Sequence, residues 1–316
     1  MKDLLRIADL SSRDIVHLLD AADAIREAPH ARRGLLTGDT VITYFAKPST
    51  RTRLSFGTAI SRLGGTPEVV RPDELQLGRG ETIEDTAQVV SRYARAFVIR
   101  TFADEDVQRF AAAASIPVIN ALTDEHHPCQ ALADLMTLRT HFGGLAGLRI
   151  AYVGDGNNVA HSLMEACALA GVDCTVATPP GYEPDLDVVV TAERLAAVSN
   201  ALVLTTHDPI KAVAGVDAVY TDVWLSMGDD AAQASARAEA LAPYQVNAAQ
   251  MREAASAAVF MHCLPAHRGQ EVTADVIDGE RSLVFDQAEN RMHTAQAVLA
   301  TLVRGELEGA PAQGGR

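Results

Sequence analysis

Basic residues are in short supply in this chain. Its 316 residues carry 27 Lys and Arg against 41 Asp and Glu, a formal charge of −14. A strongly acidic molecule repels the phosphate backbone, which argues against a nucleic-acid partner. Cysteine is scarce as well: Cys129, Cys167, Cys174 and Cys263, with no pair at CxxC spacing. That spacing excludes a zinc ribbon or a dithiol redox motif, and free thiols in a reducing cytoplasm are expected. The N-terminal stretch MKDLLRIADLSSRD has no apolar run fit for a signal peptide or membrane span, and it does not read as a transit peptide. It reads instead as a lead into a helix capped around Ser11 or Ser12, and no membrane contact is expected. No internal repeat is present. Against these absences, 48% of the residues are hydrophobic and 22% charged, which is globular rather than disordered composition. The length suffices for two α/β domains.

Apolar runs of strand length alternate with helical periods. Val41–Phe45, Ala96–Arg100 and Pro117–Asn120 read as strands, with helices over Ser55–Leu63, Thr82–Tyr93, Glu105–Ala114 and Gln130–Phe142. The pattern restarts after Gly143-Gly144: strands Leu148–Val153, Cys174–Thr178, Ala201–Thr205, Ala218–Val223, Val259–Cys263 and Leu283–Phe285, a helix Val159–Ala170, and an amphipathic last helix Gln287–Arg304. Such alternation predicts an α/β fold. We expect two doubly wound parallel-sheet domains with a cleft between them, the last helix packing back on the first. The expected division is 1–142, 143–288, a returning helix over 289–308, and a disordered Gly/Pro/Gln-rich tail over 309–316.

Six strings carry candidate chemistry. Lys47-Pro48-Ser49-Thr50-Arg51-Thr52-Arg53-Leu54-Ser55-Phe56 follows a strand and opens a helix. Free N–H groups at a helix start, hydroxyls and arginine forks suit a phosphate. No GxxxxGK[ST] is present, so this is not a Walker-type loop. Arg79 and Arg100 lie in the same half of the chain and could add to a local positive field. His126-His127-Pro128-Cys129-Gln130 leads into another helix; His127 could donate to a carbonyl and Gln130 could hold an amide, while a capping or surface pair is the plainer alternative. Metal-site spacing is lacking there. Gly154-Asp155-Gly156-Asn157-Asn158-Val159-Ala160 imitates a dinucleotide fingerprint, but Ala160 displaces the third glycine and the next strand, Cys174–Thr178, has no acid at its tip. Asn157 and Asn158 could still supply neutral hydrogen bonds. Asp222-Val223-Trp224-Leu225-Ser226-Met227-Gly228 places an acid at a strand end, where it could meet an amine or merely cap a turn. His262-Cys263-Leu264-Pro265 offers a thiol that is either a nucleophile or packing. Arg291, in Glu289-Asn290-Arg291-Met292-His293, is placed at the start of the last helix.

Taken together, these strings resemble the aspartate/ornithine carbamoyltransferase family over about Leu5 to Gly305. Ser49-Thr50-Arg51-Thr52-Arg53 is similar to the family signature, and His127-Pro128-Cys129-Gln130 to its His-Pro-x-Gln. Asp222 with Ser226-Met227-Gly228, and His262-Cys263-Leu264-Pro265, resemble the ornithine branch. Ala46 and Arg79 depart from common family residues without touching the motif cores.

The resemblance implies carbamoyl transfer from carbamoyl phosphate to the δ-amine of L-ornithine, giving L-citrulline, without cofactor, metal or covalent intermediate. The first domain would take carbamoyl phosphate and the second ornithine. It implies that Ser49, Thr50, Arg51, Thr52 and Arg100 hold phosphate, with Gln76 often lent by a neighbouring subunit. Thr52, Arg100 and His127 would polarise the carbonyl, Gln130 would hold the amide, and Arg291 would add charge. Asn158, Asp222, Ser226 and Met227 would bind the amino-acid end of ornithine, with Cys263 and the Leu264 backbone orienting its amine. A cytoplasmic homotrimer, or a multiple of trimers, serving arginine biosynthesis is the family expectation.

Overall fold

The computed structural model describes residues 1–75, 80–225 and 234–309. The chain forms two compact units, one of Met1–Met136 with Glu289–Arg316, the other of Thr137–Ala288.

The first unit starts with α1 (Ser12–Glu27), then β1 (Thr40–Phe45), α2 (Thr50–Arg62), β2 (Thr66–Val70), α3 (Ile83–Tyr93), β3 (Ala96–Arg100), α4 (Asp104–Ala113) and β4 (Val118–Leu122). The helix α5 (Pro128–Phe142) runs on into the second unit. All strands are parallel, in the order β2-β1-β3-β4. In β3 every residue is buried, as its continuous apolar run requires of a parallel strand covered on both faces. Phe97 from β3 stacks on Phe110 from α4 with ring centroids 4.2 Å apart, at the centre of a cluster that includes Tyr44, Val90, Val107 and Val118. Gly64, just after α2, has φ +91, and a Cβ there would lie 2.0 Å from the Arg33 carbonyl oxygen. Only glycine allows that turn.

The second unit holds β5 (Arg149–Val153), α6 (Asn158–Ala170), β6 (Asp173–Ala177), α7 (Leu186–Ser199), β7 (Val203–Thr206), α8 (Pro209–Val213) and β8 (Ala218–Thr221). It continues with α9 (Ala234–Leu241), α10 (Ala248–Glu253), β9 (Val259–His262) and α11 (Ala274–Ile277). Its parallel sheet has the order β7-β6-β5-β8-β9. From Val159 to Leu169, α6 is buried on every side, with the polar His161, Ser162 and Glu165 among its buried residues. The last helix, α12 (Val284–Arg304), begins in this unit and returns the chain to the first.

In both sheets the chain reverses its direction of travel. It steps from β1 out to β2 and then to β3 on the other side, and from β5 through β6 to β7 before crossing to β8. Connections on either side of such a switch point diverge, leaving space at the carboxyl ends of the two strands. Those ends are β1 and β3 in one unit and β5 and β8 in the other.

The expected α/β architecture of two parallel sheets is what forms, with local corrections. Leu283–Phe285 is not a strand: Ser282 makes a single parallel bridge to Phe260, and α12 starts at Val284. Arg291 consequently lies two turns inside the last helix rather than at its start. The helix expected from Ser55 begins at Thr50, because the hydroxyl-rich string is itself its first turn. β2 went unread because Pro67 and Glu68 interrupt its apolar pattern, which an edge strand tolerates. α7 went unread because Leu186, Val190 and Val198 are exposed, so its apolar residues mark no single buried face. The expected disordered tail falls, from residue 310 on, outside the described residues.

One buried acid ties the ends of the first unit together. Asp14 completes a capping box with Ser11 at the start of α1, and its carboxylate also accepts from the backbone N–H of Glu308 (2.8 Å) and Gly309 (3.0 Å). Burial raises its pKa, but the bonds from Ser11, Glu308 and Gly309 outweigh that and hold it below the ordinary carboxylate value. Asp14→Asn should therefore cost about 1–3 kcal/mol. The check is a lowered Tm together with faster hydrogen exchange at Glu308 and Gly309; unchanged exchange there would refute the tie.

Candidate active site

In the first unit, the carboxyl ends of β1 and β3 carry a cationic cluster. Ser49 is the N-cap of α2, its Oγ accepting from the Thr52 N–H at 3.3 Å. Thr50 and Arg51 form the first turn, so unsatisfied N–H groups and a guanidinium share one helix end. Arg100 ends β3 and is buried; its carbonyl accepts from Ala46 N–H at 2.8 Å, which clamps the chain leaving β1. Lys47 pairs with Asp124 and lies 4.5 Å from the centre of the Phe102 ring, fixing the approach to Ser49.

Thr52 is fully buried, and its hydroxyl accepts from Arg291 at 2.7 Å. The other arm of Arg291 donates to Gln130 Oε1 at 2.9 Å, and Gln130 Nε2 donates to Asp134 at 2.8 Å. The sequence offered no sign of Asp134: only the i, i+4 spacing on α5 brings it under Gln130. His127, immediately before α5, is buried, and its pKa lies well below the ordinary value. Burial is the main cause, followed by the charges of Arg291, Arg100 and Arg51. A neutral imidazole among three cations is a hydrogen-bond donor that does not compete for the anion they attract. Cys129 in the same string donates to the Asn120 carbonyl at 3.3 Å, and burial pushes its pKa up to about 12. It is a packing thiol, not a nucleophile.

The second unit carries an acidic counterpart at the ends of β5 and β8. Asp222 follows β8 and is buried. One of its oxygens accepts from the Cys263 thiol at 2.9 Å, the other from Asn157 Nδ2 at 2.9 Å. Asn157 is also the N-cap of α6, its Oδ1 accepting from Val159 and Ala160 N–H and from Tyr152 Oη at 3.3 Å. Burial, then Asp222 and Asp155, push the Tyr152 pKa well up. Asn157 joins the Asp222 cluster through its side-chain amide; Asn158 is the first residue of α6 and half-buried. Arg237, from α9, pairs with Asp155 and donates to the Trp224 carbonyl at 2.5 Å, tying α9 to the turn after β5. Gln76, Ser226 and Met227 lie outside the described residues.

The glycine turn after β5 does not hold a dinucleotide. A Cβ on Gly156 would lie 2.3 Å from Pro184 N and 2.7 Å from the Tyr182 carbonyl oxygen, and Gly156 N–H is bonded to that oxygen at 2.9 Å. The close approach that a pyrophosphate would use is occupied by the protein's own backbone. Asp222, His262 and Cys263 do bring donor atoms within 4.8 Å of one another. However, His262 Nδ1 already accepts from Leu264 N–H at 2.8 Å, which occupies its lone pair; its Nε2 lies 3.3 Å from Glu271 Oε1.

Two parallel sheets, one with cations gathered at its switch point and one with a buried acid and thiol, match a described family. Residues 2–140 match the aspartate/ornithine carbamoyltransferase carbamoyl-P binding domain, and residues 146–302 the Asp/Orn binding domain. The chain belongs to the aspartate/ornithine carbamoyltransferase family. Among its relatives, an ornithine carbamoyltransferase of Parafrankia sp. (strain EAN1pec) is 54% identical over 299 residues, 93% of this chain and 94% of its own length. One from Pyrococcus horikoshii is 50% identical over 309 residues, 96% of each chain. Of solved structures, ornithine carbamoyltransferase from Pyrococcus furiosus matches with a TM-score of 0.91 at 48% identity, covering 97% of this chain and 98% of that one. Anabolic ornithine carbamoyltransferase from Campylobacter jejuni matches with a TM-score of 0.90 at 31% identity, covering 97% and 100%. Among the described residues, no helix is long and apolar enough to cross a membrane.

The depressed pKa of His127 has a measurable consequence. In the unfolded chain the ring takes up a proton near its ordinary 6.5, whereas in the fold it resists. Its contribution to stability is thus complete above that pH and is lost as pH falls below it. His127→Gln should flatten the decline in folding free energy below about pH 6.5 by up to about 1.4 kcal/mol per pH unit. Urea titrations of both proteins over that range test it; parallel curves would mean that His127 is not held neutral.

Proposed function

We infer that this protein transfers the carbamoyl group of carbamoyl phosphate to the δ-amine of L-ornithine, giving L-citrulline and phosphate, in the direction of arginine biosynthesis. The observation that carries this reading is the opposite character of the two clusters. Arg51, Arg100 and Arg291 surround neutral His127 in one unit, and Asp222 holds the Cys263 thiol in the other.

Ser49, Thr50, Arg51 and Thr52 at the α2 end bind the phosphate with Arg100, and Gln76 joins them. His127, Arg100 and Thr52 donate toward the carbamoyl oxygen, and Gln130 orients the amide. Arg291 holds Thr52 and Gln130 in register and adds charge. Ornithine places its α-ammonium by Asp222, with Asn158, Ser226 and Met227 at the amino-acid end. Cys263 and the Leu264 carbonyl orient the δ-amine. The neutral amine attacks the carbonyl carbon, forming the N–C bond; the oxyanion collapses, the C–O bond to phosphate breaks, and the amine's extra proton leaves with the phosphate. Orientation accounts for about 7–11 kcal/mol of such a barrier, and each oxyanion donor for about 2.7–4 kcal/mol. Cys263, as a donor to Asp222, positions the amine and carries no acyl group. We further propose a cytoplasmic homotrimer or a multiple of trimers.

Citrulline formation should be measured with ornithine, putrescine, N-acetylornithine and aspartate side by side. Activity with ornithine alone is expected; activity with a different amine would overturn the acceptor assignment. Asp222→Asn should raise the ornithine KM at least about tenfold while leaving the carbamoyl phosphate KM nearly unchanged. Because the δ-amine has a lysine-like pKa of about 10.4, kcat/KM should rise toward mildly alkaline pH. A flat profile between about pH 6 and 9 would contradict attack by the neutral amine.

A further inference from the structure

Directly after β9 the backbone takes an expensive conformation. Leu264 has φ +58, in the left-handed region that costs a residue with a branched side chain about 1–2 kcal/mol. Its N–H donates to His262 Nδ1 at 2.8 Å, two residues back. Its carbonyl accepts no hydrogen bond among the described residues. His262 is fully buried, and so is Glu271, whose Oε1 lies 3.3 Å from His262 Nε2. Glu271 is itself held by the His267 N–H, which donates to the same oxygen. On its other side, His262 is fixed by its own N–H, bonded to Gln287 Oε1 at 3.0 Å, while Gln287 Nε2 donates to Tyr220 Oη at 3.0 Å.

We propose that His262 and Glu271 form a positioning pair that sets the tautomer of one imidazole and thereby locks the Leu264 peptide, leaving its carbonyl to take the acceptor amine. The inference rests on the carbamoyl-transfer reading of this site. An imidazole that accepts at Nδ1 must carry its proton on Nε2. A buried carboxylate at 3.3 Å from Nε2 favours that tautomer over the other. In the opposite tautomer, two N–H groups would face each other at Leu264 and the left-handed residue would lose the bond that offsets its strain. Cys263, between these two residues, is held by Asp222 at the same time. Thiol and carbonyl are thus fixed from opposite directions, one by the acid after β8 and the other by the histidine–glutamate pair. Neither His262 nor Glu271 needs to touch a substrate; both act through Leu264.

Two substitutions separate this role from simple core filling. In His262→Asn, the amide oxygen sits where Nδ1 was and still accepts from Leu264 N–H. In His262→Gln, the amide reaches the Nε2 position and Glu271 but leaves Leu264 N–H without an acceptor. His262→Gln should lower kcat about ten- to a hundredfold with an unchanged carbamoyl phosphate KM, while His262→Asn keeps most of kcat. Equal kcat in the two variants, high or low, would overturn the proposal. Nitrogen-15 NMR of the wild-type ring, at about pH 8 where an ordinary imidazole is neutral, should report the Nε2–H tautomer for His262. An Nδ1–H tautomer would overturn it irrespective of activity. The NMR result does not depend on turnover, so absence of citrulline from the wild-type protein would instead refute the carbamoyl-transfer reading.

Discussion

A parallel sheet in which the chain reverses its direction of travel must leave a gap, because the connections on either side of the reversal diverge. Both sheets of this protein are built around that constraint. In one, the gap lies at the ends of β1 and β3 and receives Ser49, Arg51 and Arg100. In the other, it lies at the ends of β5 and β8 and receives Asn157 and Asp222. The clusters are polar because a gap at a sheet end cannot be filled by the apolar faces of neighbouring helices.

Each cluster satisfies its buried polar groups differently. In the first unit, Arg291 donates to two neutral groups, Thr52 and Gln130, and its charge acts on His127. That charge, added to burial, keeps His127 neutral. A carboxylate in place of Gln130 would have cancelled the charge that an anionic ligand needs. In the second unit, Asp222 is met by a thiol and an amide rather than by a cation. Its negative charge remains uncompensated by Arg237, which is instead tied to Asp155. An acidic protein of net charge −14 thus keeps one local site positive and another negative by choosing neutral neighbours for the charges that matter.

The same economy of partners distinguishes the turn after β5 from the dinucleotide turn it imitates. Both need a glycine at the second position because something comes close. In a dinucleotide site that something is a pyrophosphate; here it is the backbone of Tyr182–Pro184. Identical local sequence demands can serve internal packing or ligand binding, and only the partner tells them apart.

The sequence by itself determined the periodic elements, the two parallel sheets and the strings at the strand ends, since apolar period, glycine stops and hydroxyl-rich caps act over a few residues. Ser49, Thr82 and Asn157 cap helices as short-range chemistry dictates. Tertiary structure alone decided what depends on residues far apart in the chain. Arg291 reaches Thr52 across 239 positions, a contact that no local pattern announces. Asn157 meets Asp222, 65 positions away, while its side-chain oxygen caps α6. Glu271 became visible only once the fold had buried it against His262. Where a side chain's partner is local, its role can be read from the sequence; where the partner is distant, the fold has to bring it.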